Sequence, residues 1–312
     1  MKYVGDLITE IRRDTRNEDI PTSGSEVGIS TEDFLRYINF AQEKCQAIAI
    51  SAKSTKFNTT KEIDLENGVI EYPIPDRVYL DEHILDVKYS GSGLARDYYE
   101  IRERPLSHRV DSTGTPSFYI RKGSSILLCP IYQGSGGKVR VTFDRAVDTL
   151  DIRRGQITSA LVAGSYIAGI TLDPDTDDAD ALARAQYVCI NDAYGNVTMY
   201  NIPVVAYNST TGVIAIKDTS FLFQSGETAD VGSYVTVGQY TTTHSKLNDL
   251  CERYMAQYGE YKIFRRDSSS DASQAKDDMR ETLKEISTSY AETPRDECEI
   301  VIDNPDLMVG VW

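Results

Sequence analysis

Two amphipathic helical patterns open this chain and two more close it, and neither pair can bury its apolar stripes alone. Tyr3, Leu7, Ile8 and Ile11 share one face of a short helix. After a polar stretch over 15–28 that holds Pro21 and Gly24, Ser30 and Asp33 form a capping-box signal. Phe34, Ile38, Ala41, Cys45 and Ile48 then follow at steps of three and four. Far along the chain, Leu247, Leu250, Cys251, Tyr254, Tyr258 and Tyr261 line a helix expected over about 243–264. Beyond the Ser268-Ser-Ser270 break, Ala275, Met279, Leu283, Ile286 and Tyr290 line another, which Ser270 can cap. A stripe must pack against another element. The two ends of the chain are therefore expected to meet in one four-helix bundle, with the residues between them as excursions from it.

Those excursions have period two. Between 61 and 144, Ile63 and Leu65, the runs 69–74, 84–89, 117–121, 124–132 and 138–144 read as strands separated by Asn-Gly, Pro and Gly-rich turns. The segment 156–242 has its own composition: nine acids against two bases, Arg184 and Lys217. Strands are expected there at 187–191, 197–202, 213–217 and 234–237. The matching pieces Gly164-Ser-Tyr166 and Gly232-Ser-Tyr234 are either paired strands or a weak duplication. The last residues, 291–312, are first acidic and then apolar, and Pro294 and Pro305 forbid a long helix. The fold class expected is α+β: a four-helix bundle split by antiparallel β segments (1–155 and 243–290), an inserted small all-β domain (156–242) and an extended C-terminal tail (291–312).

The 312 residues hold 33 Lys and Arg against 48 Asp and Glu, a net charge of −15. That surplus argues against a tight, sequence-independent nucleic-acid clamp, which needs positive charge to displace counterions from phosphates. The 20 Tyr against 8 Phe and 1 Trp suit surfaces buried only on assembly. The five Cys (45, 129, 189, 251 and 298) have no metal or redox spacing, and read as single buried thiols of a reducing compartment. The N-terminus lacks the apolar core of a signal peptide, and the weakly polar run 159–172 is too short for a membrane span; a soluble protein made in a cytoplasm, with no membrane partner, is expected.

Catalytic signatures are missing from the sequence. There is no G-x-S-x-G elbow. Gly134-Ser-Gly-Gly-Lys138 fails the phosphate-loop pattern at Tyr132 and Val139, and reads as a hairpin turn. Gly91-Ser-Gly93 fails the dinucleotide pattern at Arg96. His83, His108 and His244 lack ligand spacing. No enzyme, cofactor or metal is expected. The sharpest local signal is Asp173, Asp175 and Asp177 at the one-three-five spacing of a calcium loop. Asp178 stands where that loop needs Gly, and Arg184 where it needs Glu, so a solvated acidic loop is the competing reading. Arg12, Arg13 and Arg16, and Lys262, Arg265 and Arg266, are either helix-end charges or docking patches for an acidic neighbour.

The order of elements, with "ISTEDFLRYINFAQEKC", "VIEYPIPDRVYLDEHILDVKY", "YYEIRERPLSHRV" and "PSFYIRKGSSILLCPIYQGSGGKVRVTFDRAVDTL", resembles the head-to-tail adaptor (neck ring) proteins of tailed bacteriophages, most closely those of short-tailed and crAss-like phages. The resemblance covers 1–150 and 243–290; the segment 156–242 departs from it. It implies a structural virion protein in the neck, assembled in the host cytoplasm. Such proteins form a ring, commonly twelve-fold, that sits beneath the portal protein, meets tail or other neck proteins, and lets double-stranded DNA through its lumen without tight binding. In that family the C-terminal segment docks on the portal. Carried over, the candidates lie in 299–312: Ile300, Ile302, Leu307, Met308, Val309, Val311 and Trp312. The competing reading has Ile300, Ile302, Leu307 and Trp312 closing their own domain's core. Another phage ring or tail component, or a glycan-binding, cell-wall-active virion protein, are the alternative functions.

Overall fold

The computed structural model describes residues 2–16, 29–163, 166–216, 229–292 and 301–302. The architecture is α+β, with five α-helices and many antiparallel strands among the described residues. The chain divides into two compact units: Met1–Ile48 with Asp148–Tyr290, and Ala49–Val147 with Ala291–Trp312.

The first unit holds the helices α1 (Val4–Asp14), α2 (Thr31–Ser51), α3 (Ala179–Ala183), α4 (Asp249–Arg266) and α5 (Ala272–Glu292). The α1 stripe buries Val4, Leu7, Ile8 and Ile11. At the start of α2 the Ser30 hydroxyl accepts from the Asp33 amide (3.2 Å) and donates to the Asp33 carboxylate (2.8 Å), as the capping signal implied. The expected loop beyond Arg16 lies outside the described residues. Helix α4 is the one that α1, α2 and α5 all touch. Gly259 of α4 lets α1 approach so closely that a Cβ there would sit 2.7 Å from Ile11 Cδ1. Phe40 of α2 stacks on Tyr258 at 5.4 Å. Arg253 of α4 donates to Thr282 of α5 at 3.2 Å. Helix α4 starts at Asp249 rather than near 243. The Asn248 side chain caps it, and the chain before it is taken up in β pairing: Thr241–Thr242 runs parallel to Thr149–Leu150, and His244 bridges Tyr3.

The same unit contains a closed barrel of six antiparallel strands. Going round it, they are Gly155–Ala163, Tyr166–Leu172, Val213–Ile216, Val197–Asn208, Tyr187–Asn191 and Tyr234–Val237, which returns to the first. Alternate side chains such as Ile157, Ile170, Val188, Ile190, Ile202 and Ile214 fill its interior. Gly155–Ala163 and Tyr166–Leu172 are strands that the period-two pattern did not disclose. The strands starting at Tyr166 and Tyr234 do not pair with each other; both border Gly155–Ala163. The segment 156–242 is not purely β, because α3 lies within it, capped by the Asp178 side chain on the Ala181 amide (3.2 Å).

The second unit is built around two sheets, with a further two-stranded pairing of Thr113–Gly114 beside Ile131–Tyr132. The larger has the order Val301–Ile302, Asn58–Asp64, Lys138–Asp144, Ile84–Ser90 and Tyr99–Glu100; the smaller, Glu71–Pro73, Ser125–Cys129, Phe118–Lys122 and Arg102–Glu103. Their buried side chains, among them Tyr72, Val87, Tyr89, Ile126, Val141 and Phe143, make one core. Gly134-Ser-Gly-Gly-Lys138 is indeed a turn between strands. The Gly137 amide donates to the Tyr132 hydroxyl at 2.9 Å, and a Cβ at Gly137 would meet that ring at 2.6 Å.

One compositional expectation needs correction. Much of the tyrosine lies in the protein's own cores rather than on open surface: Tyr72, Tyr89, Tyr119, Tyr132, Tyr254, Tyr258 and Tyr290 are all buried. The hydroxyls of Tyr72, Tyr132 and Tyr290 find internal partners, which removes the usual obstacle to burying them. The described cysteines, Cys45, Cys129, Cys189 and Cys251, are free and buried, as their spacing implied. Cys45 of α2 and Cys251 of α4 hydrogen-bond to one another, and that bond together with burial pushes the Cys45 thiol up.

Candidate functional site

Chemistry in the first unit concentrates on Arg154, which stands immediately before the first barrel strand. Its side chain is 5% exposed, and it is held by three carboxylates from separate stretches of chain: Asp151, Glu32 in the first turn of α2, and Asp178 at the cap of α3, each at 2.7 Å. Asp151 also accepts from the Val237 amide at 2.8 Å, which ties in the last barrel strand. Burial alone would lower the pKa of a guanidinium. The three carboxylates reverse that and hold Arg154 above its ordinary value, so it stays charged. The cluster fixes one helix, the barrel and α3 to each other, and it lines an open cavity of about 660 Å³ floored by Leu35, Leu150 and Val237. No spacing rule marks it in the sequence, because its members come from positions 32, 151, 154 and 178. The only trace is a pair of arginines at the border of an acidic segment.

The calcium-loop candidates have other occupations. Asp173 accepts from the Asp175 amide at 3.1 Å, and Asp177 accepts from the Tyr207 hydroxyl, which its burial and this carboxylate push upward. Asp178, where a calcium loop needs Gly, caps α3 and pairs with Arg154. Among the described residues no group of three or more His, Cys, Asp or Glu is arranged to hold a metal ion.

The histidines are apart from one another. His83 lies 3.7 Å from Asp144, His108 is exposed, and His244 is buried with its ring 2.9 Å from the Thr243 hydroxyl. In the basic clusters, Arg12 donates to Thr31 (3.2 Å) and lies over Phe34, Arg13 pairs with Asp14, and Arg266 pairs with Asp267. Lys262 sits over Tyr258, whose stack with the half-exposed Phe40 also lies under Lys44.

Of the C-terminal candidates, Ile302 lies in the strand Val301–Ile302, which runs parallel to the edge of Asn58–Asp64 at Thr59 and Thr60. Ile300, Leu307, Met308, Val309, Val311 and Trp312 lie outside the described residues.

A family profile described as SU10 adaptor protein matches residues 1–187. The chain belongs to the SU10 adaptor protein family. It is thus a phage adaptor, a structural protein, which implies a place at the virion neck and association with portal and tail proteins. The match takes in α1, α2 and all of Ala49–Val147. It runs past 150 through the first two barrel strands and α3, so the adaptor pattern includes Arg154 and all three of its carboxylates. No curated protein matches the chain. No described helix of this adaptor is long and apolar enough to cross a membrane.

Proposed function

We propose that the chain is one subunit of a homo-oligomeric head-to-tail adaptor ring, about twelve-fold, that joins the portal to the tail, extends the DNA channel and carries out no catalysis. The family match over 1–187 is the observation that carries this reading. In it, α1, α2, α4 and α5 form the split bundle of an adaptor core (1–155 and 243–290), and 156–242, the first part of which the family profile also covers, is an excursion from that bundle. The net charge of −15 supports a conduit role, because acidic walls repel phosphates and forgo the counterion release that makes DNA binding tight. The segment 299–312 is the portal-docking tail. The pairing of Val301–Ile302 beside Thr59 and Thr60 supports its competence to add as a strand.

The test is a mass measurement by light scattering on the full chain, alone and with the portal protein. A ring, or a complex formed only with portal, is expected, and deletion of 299–312 should abolish the portal complex. A monomer that ignores portal overturns the reading.

A further inference from the structure

The turn 192–196, which joins two barrel strands, is firmly held and yet displays an aromatic side chain. The Asp192 carboxylate accepts from the Tyr194 amide (2.8 Å), the Asn196 amide (2.8 Å) and the Asn196 side chain (2.9 Å). Arg153, which lies over both the Tyr3 and the Tyr234 ring, donates to the Ala193 carbonyl at 3.2 Å. The Thr242 hydroxyl donates to the Gly195 carbonyl at 3.0 Å. At the tip, Tyr194 is 79% exposed, more than any other large apolar side chain among the described residues. An aromatic side chain on a pre-organised backbone loses little freedom on docking, which is what a binding anchor needs.

The Arg154 cavity has the complementary shape and chemistry. Its floor is apolar, and Asp180 and Arg184 in its lining have no side-chain partner among the described residues. A tyrosine suits that lining: its ring covers the apolar floor beside a guanidinium, and its hydroxyl donates to an unused carboxylate. Charge permits the contact. Two helix-and-barrel units repel one another, each with 18 bases against 29 acids. Within the cavity, however, four carboxylates face three guanidiniums, and Asp192, the one acid of the turn, is engaged inside the turn itself.

Turn and cavity lie on opposite faces. Arg153 and Thr242 hold the turn, whereas their chain neighbours Arg154 and Thr241 line the cavity. Successive side chains of an extended chain point to opposite sides. One copy therefore cannot fill its own cavity with its own turn, and two copies cannot fill each other's. We propose that Tyr194 of one copy seats in the Arg154 cavity of the next. This rests on the ring reading and gives that ring its contact, a head-to-tail interface of the kind that closes into a ring when repeated.

The experiment uses the full chain with a photo-crosslinking amino acid in place of Ala193, beside an intact Tyr194, mixed from 14N- and 15N-labelled preparations, with and without portal protein. Crosslinks between differently labelled copies, ending in 32–39, 149–154 or 178–184, are expected. Y194A should raise the concentration for half-assembly about tenfold or more, with an unchanged melting temperature, because the side chain anchors the contact and not the fold. R184E damages the cavity instead, so Y194A and R184E chains mixed together should form pairs but no rings. Crosslinks that end elsewhere, within one copy, on portal alone or nowhere overturn the proposal and leave the ring standing, as does a Y194A chain that assembles like the parent or a mixture that closes into rings. A parent chain that is monomeric with and without portal overturns both.

Discussion

The helix-and-barrel unit carries 29 acids against 18 bases, and the second unit, 49–147 with 291–312, carries 19 against 15. The two manage charge differently. In the second unit, cations and anions face each other across the sheets near the surface: Arg140 with Glu62 at 2.7 Å and Lys138 with Asp64 at 3.3 Å on neighbouring strands, and Lys122 with Glu71 at 3.3 Å across the strand between them. Such exposed pairs each contribute little. In the first unit, surplus carboxylates are drawn inward onto one guanidinium. The less acidic unit relies on its apolar core and surface pairs, whereas the more acidic one must place its few interior cations well, because a carboxylate buried without a partner destabilises strongly.

The comparison breaks most readily at Arg154. Replacing it with Met leaves Asp151 buried opposite a thioether, and should destabilise the first unit by about 3–5 kcal/mol. Amide exchange reads this by location. Protection should fall in the barrel and α2 while 58–64 and 138–144 keep theirs. Equal loss in both units would show that they do not differ in this way. Gly259→Val is the next largest, at about 1–3 kcal/mol, since the added carbons meet Ile11. Ile11→Ala in the same chain should recover part of that loss in a denaturant titration.

The helices were legible in the sequence because the 3.6-residue period survives single deviations: Ala49 rather than Ile48 is buried on α2 and the stripe still reads as one. The first barrel strands were not. The pairing of Gly155–Ala163 with Tyr166–Leu172 shifts register between Ile157 and Ser159 and again between Leu161 and Val162, and each bulge resets the in-out alternation on which a strand pattern depends. The acidic loop was found but its use was not. Asp173, Asp175 and Asp177 share a spacing, while what fixes their roles is a backbone amide, Tyr207 and the neighbouring cap at Asp178. The Arg154 cluster and the Cys45–Cys251 contact are invisible for a simpler reason: they join stretches of chain far apart in sequence, which become neighbours only in the folded unit.

His244 sharpens the comparison through pH. Burial, and then the charge of Arg153, hold its pKa below the usual 6.5, against the opposing pull of Asp192 and Asp6. The unfolded chain therefore takes up this proton first as the pH falls. The stability linked to a neutral His244 is present above pH 6.5 and is lost as the pH drops through that value toward the folded one. His244→Gln should flatten the fall in stability between about pH 7.5 and 5.5. The exchange protection of the first unit should report the change; an unaltered slope would show that His244 is not its source.

The smallest expected effect runs in the opposite direction. Leu80 has φ 52 and ψ 23 and is 69% exposed, so the second unit holds a β-unbranched apolar residue in the left-handed region with most of its surface in water. Neither property favours the isolated fold. Glycine adopts that backbone without the Cβ clash, although it loses more freedom on folding, so Leu80→Gly should stabilise the second unit by up to about 1 kcal/mol. A leucine kept there against folding stability is one whose side chain matters after assembly. The same substitution should then weaken self-association in a dilution series while the melting temperature holds or rises. A variant that loses stability, or assembles unchanged, would place Leu80 among the ordinary exposed residues of this unit.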